Sequence, residues 1–266
     1  MTIQDKIFRP DGWSATARLG LVVPHADVGP EAECAALGGT QVSVHGARIN
    51  FSAMRAGGEM DPKIPHDPVE SFTQPPYIDD IAASLCESPL TALGLAFTSS
   101  AYKHGPEGER ALVERLRPRL RGIPVVTTCL AAETALRSLG IKRLAIVNPA
   151  WFDEDLDALG ARYFEAAGFD VVHHAPCGLK SGQKYVSPPA LYDWIKTTVA
   201  PSGADAVFVG GNGQRAIGVI DAVESQLGLK MLTANQVLFW GALQAAGVQP
   251  SVEGYGTLFS KNVTPV

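Results

Sequence analysis

Two stretches of the chain gather small polar residues where an apolar run stops. Thr98-Ser99-Ser100 closes one such run, and Gly210-Gly211-Asn212-Gly213 closes another. Hydroxyls and free backbone N–H groups at the end of a strand can hold a carboxylate or a developing oxyanion. Glycines let a ligand approach the main chain, and successive N–H groups can form an anion nest. Each stretch also has a plainer use. Ser and Thr cap helices, and Gly-rich segments make tight strand-to-helix turns. The glycine stretch lacks the G-x-G-x-x-G spacing of a dinucleotide site.

Groups that could move a proton lie nearby in sequence. Pro24-His25-Ala26-Asp27 ends the first strand, and a histidine there can serve as general acid or base. His104, beside Lys103, follows the Thr98 stretch and is a second candidate. His173-His174 is a poor metal chelate, because neighbours in a strand point to opposite faces. Asn148-Pro149-Ala150-Trp151 ends another strand, with Trp151 either walling a pocket or packing into the core. Cys34, Cys86, Cys129 and Cys177 form no C-x-x-C pair and read as reduced, buried thiols. Cys129 opens a helix after Thr127-Thr128, where a thiolate would be stabilised. No metal site is expected. G-x-S-x-G, P-loop, H-E-x-x-H and EF-hand patterns are all missing.

The elements that must position these residues alternate between strand and helix, which predicts parallel sheets. Strands are expected at Arg18–Val23, Gln41–Ile49, Ala92–Phe97, Ile123–Thr127, Arg143–Val147, Asp170–His174 and Ala206–Val209. Residues 56–76, rich in Gly, Pro and charge, are expected to form a long loop. Ile78, Ile81, Ala82 and Leu85 share one helical face, and Leu112, Leu116 and Leu120 mark a helix that Pro118 should end. A further α-helix is expected at Phe152–Ala167, and Leu191, Trp194 and Ile195 mark another. Gly122–Thr127, Ala135-Leu136 and Gly140 match Gly228–Thr233, Ala242-Leu243 and Gly247 with one inserted residue. This is the mark of an internal duplication. It would make the Thr98 and Gly211 strand ends pseudo-symmetric walls of one cleft, since ligands in such sheets bind beyond the carboxyl ends of strands.

The 266 residues, 46% hydrophobic, allow a large core, and a net charge of −5 gives no support for nucleic-acid or anionic-membrane binding. With no apolar run of membrane length and no leader-like start, a cytoplasmic protein is expected.

In order and spacing, several segments resemble the arylmalonate decarboxylase and maleate cis-trans isomerase branch of the aspartate/glutamate racemase superfamily. They are Leu19–Pro24, Ala96–Ser100, Leu139–Pro149, Asp205–Gly213 and Gly254–Phe259. The resemblance runs from Leu19 to about Phe259. It implies an α/β fold of two flavodoxin-like parallel-sheet halves related by a pseudo-twofold axis, with the active site between them. We expect residues 15–128 plus 234–266 to form the first half and residues 129–233 the second. The resemblance further implies no metal or organic cofactor, a small carboxylate substrate and a carbanion or enediolate intermediate. Family isomerases place a cysteine in each half; the decarboxylase keeps only the second, as proton donor. Here those positions fall beside Thr98-Ser99, which matches the decarboxylase's oxyanion-pocket pair, and on Gly211. A carboxylate-binding tyrosine aligns with Trp151, whose indole N–H could donate instead.

The expected activity is therefore a cofactor-independent lyase or isomerase acting on a small dicarboxylate or substituted malonate without the family cysteines. Thr98, Ser99, His25 and His104 are the expected catalytic residues. Pro24, Ser100, Trp151, Gly211, Asn212 and Gly213 are the expected substrate contacts. The alternatives are a hydrolase or hydratase with a histidine base in the same cleft, and a non-catalytic carboxylate-binding protein. The oligomeric state is left open.

Overall fold

A computed structural model describes residues 11–249 and 251–260. Its strands form two four-stranded parallel sheets and one short hairpin. The first sheet contains β1 (Ala17–Pro24), β2 (Val42–Ile49), β5 (Ala92–Leu95) and β6 (Val125–Thr127), ordered β2-β1-β5-β6. The second contains β7 (Arg143–Asn148), β8 (Asp170–Pro176), β9 (Ala206–Val209) and β10 (Lys230–Thr233), ordered β8-β7-β9-β10. Read along the chain, both sheets have the order 2-1-3-4, as an internal duplication requires. The fold class is α/β, as expected.

The central strands β5, β7 and β9 are almost continuously apolar and buried. That is the pattern of parallel strands covered on both faces. The covering helices include α1 (Gly29–Gly38), α3 (Tyr77–Leu85), α4 (Ser99–Leu116), α5 (Thr128–Ser138), α6 (Glu154–Ala166), α8 (Ile220–Leu227) and α9 (Ala234–Ala245). Helix α9 follows the last strand of the second sheet yet packs on the first. Leu238 lies 3.3 Å from where a Gly94 side chain would begin in β5. The pseudo-equivalent helices α5 and α9 pack on each other. At their crossing, a Cβ on Gly241 would stand 2.9 Å from the Ala131 Cβ. Helix α4 crosses α6 in the same manner, where Gly160 makes room for the Tyr102 ring. Interdigitated contacts of this kind tie the halves together.

The chain departs from its expected course at residues 56–76. The hairpin strands β3 (Met54–Arg55) and β4 (Glu59–Met60), joined through Gly57 and Gly58, are followed by helix α2 (His66–Ser71). Strands of two residues carry no periodicity, so this segment reads as loop. Lys63 Nζ donates to the carbonyls of Ala150 (3.0 Å) and Phe152 (2.6 Å), and Ile64 N to that of Trp151 (2.9 Å). His66 Nε2 meets Asp153 at 3.1 Å. These bonds fasten the insertion across the loop that follows β7. Helix α4 also differs: it starts at Ser99, and Gly105 (φ 71°) with Pro106 breaks it after one and a half turns. Helix α7 (Pro188–Trp194) carries Leu191 into the core. No described helix is long and apolar enough to cross a membrane.

Because the α5–α9 crossing has no spare volume, Gly241→Val is expected to lower stability by about 1–3 kcal/mol. Urea unfolding of the variant beside the wild type measures this.

Candidate active site

In a 2-1-3-4 sheet the strand order reverses between the first and third strands, and their carboxyl ends leave a crevice. Here that rule applies twice. Pro24 ends β1, Thr98 follows β5, Trp151 follows β7 and Gly211 follows β9. All four line one small cavity of about 50 Å³, together with Ser99, Asn212, Gly213 and Asp27. The two glycine- and hydroxyl-bearing strand ends touch: Gly211 N donates to Thr98 Oγ1 at 3.1 Å. The Thr98 side chain does not cap α4; its oxygen accepts from the other half of the molecule instead. Accepting that bond leaves its own O–H to donate, with the Tyr102 hydroxyl beside it. Helix α4 begins at Ser99, so its first N–H groups lie unpaired at this end.

Gly210 and Gly211 are glycines for steric reasons. A Cβ on Gly210 would lie 2.7 Å from Asn148 Oδ1 and 2.8 Å from the Tyr102 hydroxyl. Gly211 has φ 77°, and a Cβ there would stand 2.1 Å from Pro149 Cγ. The position that the resemblance assigns to the second family cysteine therefore has no room for a side chain.

The Asn212 side chain turns away from the cavity. Its Oδ1 accepts from Thr128 Oγ1 (3.1 Å) and its Nδ2 donates to Asn235 Oδ1 (2.9 Å). Asn235 Nδ2 in turn reaches Glu33 Oε2 and the Asn212 carbonyl, both at 2.8 Å. Glu33 Oε1 accepts from the backbone of Ala216 (2.7 Å) and Ile217 (3.1 Å). Burial raises the Glu33 pKa, and these three donors oppose the rise. What Asn212 presents to the cavity is main chain.

Asp27 is the acid of this cavity, at 3% exposure. Burial raises its pKa from the usual 3.8 to about 6, against a bond from Gly29 N (2.8 Å) and the neighbouring Gln183 amide. Among the expected site residues, Pro24, Thr98, Ser99, Trp151, Gly211, Asn212 and Gly213 meet at one cavity. His25 instead lines a wider crevice of about 1070 Å³, and its Nδ1 accepts from Phe51 N at 3.1 Å. Met60 and Gly213 border both spaces. Ser100 and His104 face a separate small void behind Phe97. His104 is exposed and meets Thr73 Oγ1 at 3.2 Å. Five residues after Ser99, it has rotated away around the helix. His174 is engaged with Asp157 at 2.6 Å. Burial and the nearby Glu109 push the Cys129 thiol well above its ordinary pKa, so the thiolate suggested by its place at a helix start does not form.

Two residues escaped the sequence reading although each carries a signal. Asp27 stands two residues before Gly29, the spacing of an Asx turn. Glu33 shares the apolar face of α1 with Pro30, Cys34 and Leu37, an unusual place for an acid.

A family model described as arylmalonate decarboxylase matches residues 19–259. The chain belongs to the arylmalonate decarboxylase family. Its relatives are enzymes of the lyase and isomerase classes. Arylmalonate decarboxylase of Bordetella bronchiseptica is 26% identical over 192 residues, covering 69% of this chain and 77% of that protein. Maleate isomerase of Pseudomonas putida is 25% identical over 249 residues, covering 91% and 97%. The crystal structure of the maleate isomerase from Pseudomonas putida S16 superposes with a TM-score of 0.79 at 21% identity, over 92% of this chain and 99% of that one. The likeness confirms the two-sheet fold that the arylmalonate decarboxylase family shares.

The Gly211 geometry predicts that Gly211→Ala costs at least about 1–2 kcal/mol, from the left-handed backbone alone. The shift in thermal midpoint measures it. Asp27 also ties stability to pH. A carboxyl whose folded pKa is raised contributes stability present below its unfolded pKa near 3.8 and lost as pH climbs through about 6. Asp27→Asn should therefore gain on the wild type between pH 4.5 and 7.5, by up to about 2 kcal/mol, in urea titrations at the two pH values.

Proposed function

We propose that this cleft decarboxylates a small dicarboxylate of the substituted-malonate type through an enediolate, without a cofactor. The observation that carries the reading is the bond between Thr98 and Gly211, which closes two polar strand ends around a space the size of a carboxylate. Thr98 and Ser99 line the cavity, and their hydroxyls and the first N–H groups of α4 donate to oxygens on which charge develops. The rest of the lining includes the apolar Phe51, Met54, Ile64 and Phe152. A carboxylate pressed against them loses solvation that neutral carbon dioxide does not need, which favours its departure. The C–C electron pair then passes to the remaining carboxyl as an enediolate. The substituent of the substrate extends past Met60 into the wider crevice, because the inner cavity holds only a few heavy atoms.

An isomerisation through a cysteine adduct fits less well. All four cysteines are buried, and none lines the inner cavity.

Joint substitution Thr98→Ala and Ser99→Ala should cut kcat/KM for the preferred malonate by at least about 100-fold, the usual cost of lost oxyanion donors. Carbon dioxide release over a panel of alkyl- and aryl-substituted malonates is the assay, with melting curves as the folding control. Unchanged turnover in the double variant, or water incorporation without carbon dioxide release, would sink the reading. The second result would instead favour hydration with His25 as base.

A further inference from the structure

An enediolate must be quenched by a proton, and the family position for a donor thiol is closed at Gly211. The carboxyl of Asp27 is the acid placed to take over. Its Oδ1 accepts from Gly29 N at 2.8 Å, which orients the group. Its Oδ2 lies 2.9 Å from where a Gly213 side chain would begin, and Gly213 lines both the inner cavity and the wide crevice. Gly213 lacks that side chain, which leaves the carboxyl beside the Gly211–Gly213 main chain, with the Gln183 amide nitrogen 2.5 Å from the same point as its neighbour.

We propose that Asp27 protonates the α-carbon of the enediolate and so fills the role of the missing thiol. The inference rests on the decarboxylase reading above. The step balances simply. Breaking the C–C bond releases carbon dioxide and leaves the electron pair on the enediolate. That pair takes the Asp27 proton to form the new C–H bond. The Asp27 carboxylate then regains a proton from water in the crevice.

The surroundings of Asp27 keep the proton available. Glu31 on α1 disfavours its charged form, while Arg48 on β2 is the cation that favours it. Arg48 is already paired with Glu31 at 2.5 Å, which spends much of its attraction there. Burial is the main cause of the raised pKa, and Glu31 adds to it. A substrate dianion bound alongside would hold the proton more firmly still, as one like charge does for another.

The test uses the full-length protein and a malonate that the wild type turns over, with kcat/KM measured from pH 4.5 to 9. The expected wild-type profile falls as pH rises through about 6, because the donor must carry its proton. Asp27→Asn should lose at least about 100-fold and the falling limb with it. Asp27→Cys should recover part of the activity with the limb moved toward the thiol range, near 8.5. A wild-type profile flat from pH 5 to 8 would overturn the assignment whether or not a variant folds. So would an Asn variant within threefold of wild type, or a Cys variant whose limb stays in place. If no malonate yields carbon dioxide with the wild type, the decarboxylase reading itself fails and the assignment goes with it. That outcome is told apart from the others because it precedes any comparison of variants.

Discussion

The cleft depends on a buried chain of hydrogen bonds that crosses from one half of the molecule to the other. It runs from Glu33 on α1, through Asn235 at the start of α9, to Asn212 after β9 and Thr128 at the start of α5. Thr128 Oγ1 also meets the Leu95 carbonyl at 3.0 Å, at the end of β5. Every partner is buried, so each polar atom in the chain has exchanged water for a protein group. A donor or acceptor stranded there would cost more than an average hydrogen bond contributes. Only one relative placement of the two sheets satisfies all the members together. The network therefore sets how the strand ends face each other, and with that the shape of the cavity.

On this frame the chemistry needs few parts. In the proposed reaction the hydroxyls after β5 and the main chain after β9 supply polarity, the insertion between β2 and α3 supplies an apolar cover, and Asp27 supplies an acid. The cover is anchored by Lys63, Ile64 and His66 on the loop after β7. Met54 and Met60 reach down from its hairpin to the cavity wall.

Much of the architecture was legible in the sequence because it depends on local pattern. Apolar runs such as Ala206–Val209, closed by glycine, identify buried parallel strands, and the repeated Gly–Thr–Ala–Leu–Gly spacing identifies the duplicated units. The meeting of Thr98 with Gly211 followed from the duplication. What escaped the reading depends on distance along the chain. Glu33 and Asn235 are 202 residues apart, and no window of sequence links them. His104 was misplaced for a different reason: proximity to Ser99 in sequence says nothing of direction until helical rotation is counted. Residues 56–76 escaped because their elements are too short to show a period.

Gly211 also limits how this site can change. Its main chain has settled into a left-handed turn over Pro149, and that turn leaves a β-carbon nowhere to go. A mutation that installs sulfur at this point must first remove the proline ring and swing the peptide over, and neither change helps without the other. The fold thus makes a thiol at this point hard to install one residue at a time. New activities in this scaffold have an easier route through the roomy outer crevice, where side chains can be exchanged without disturbing the turn.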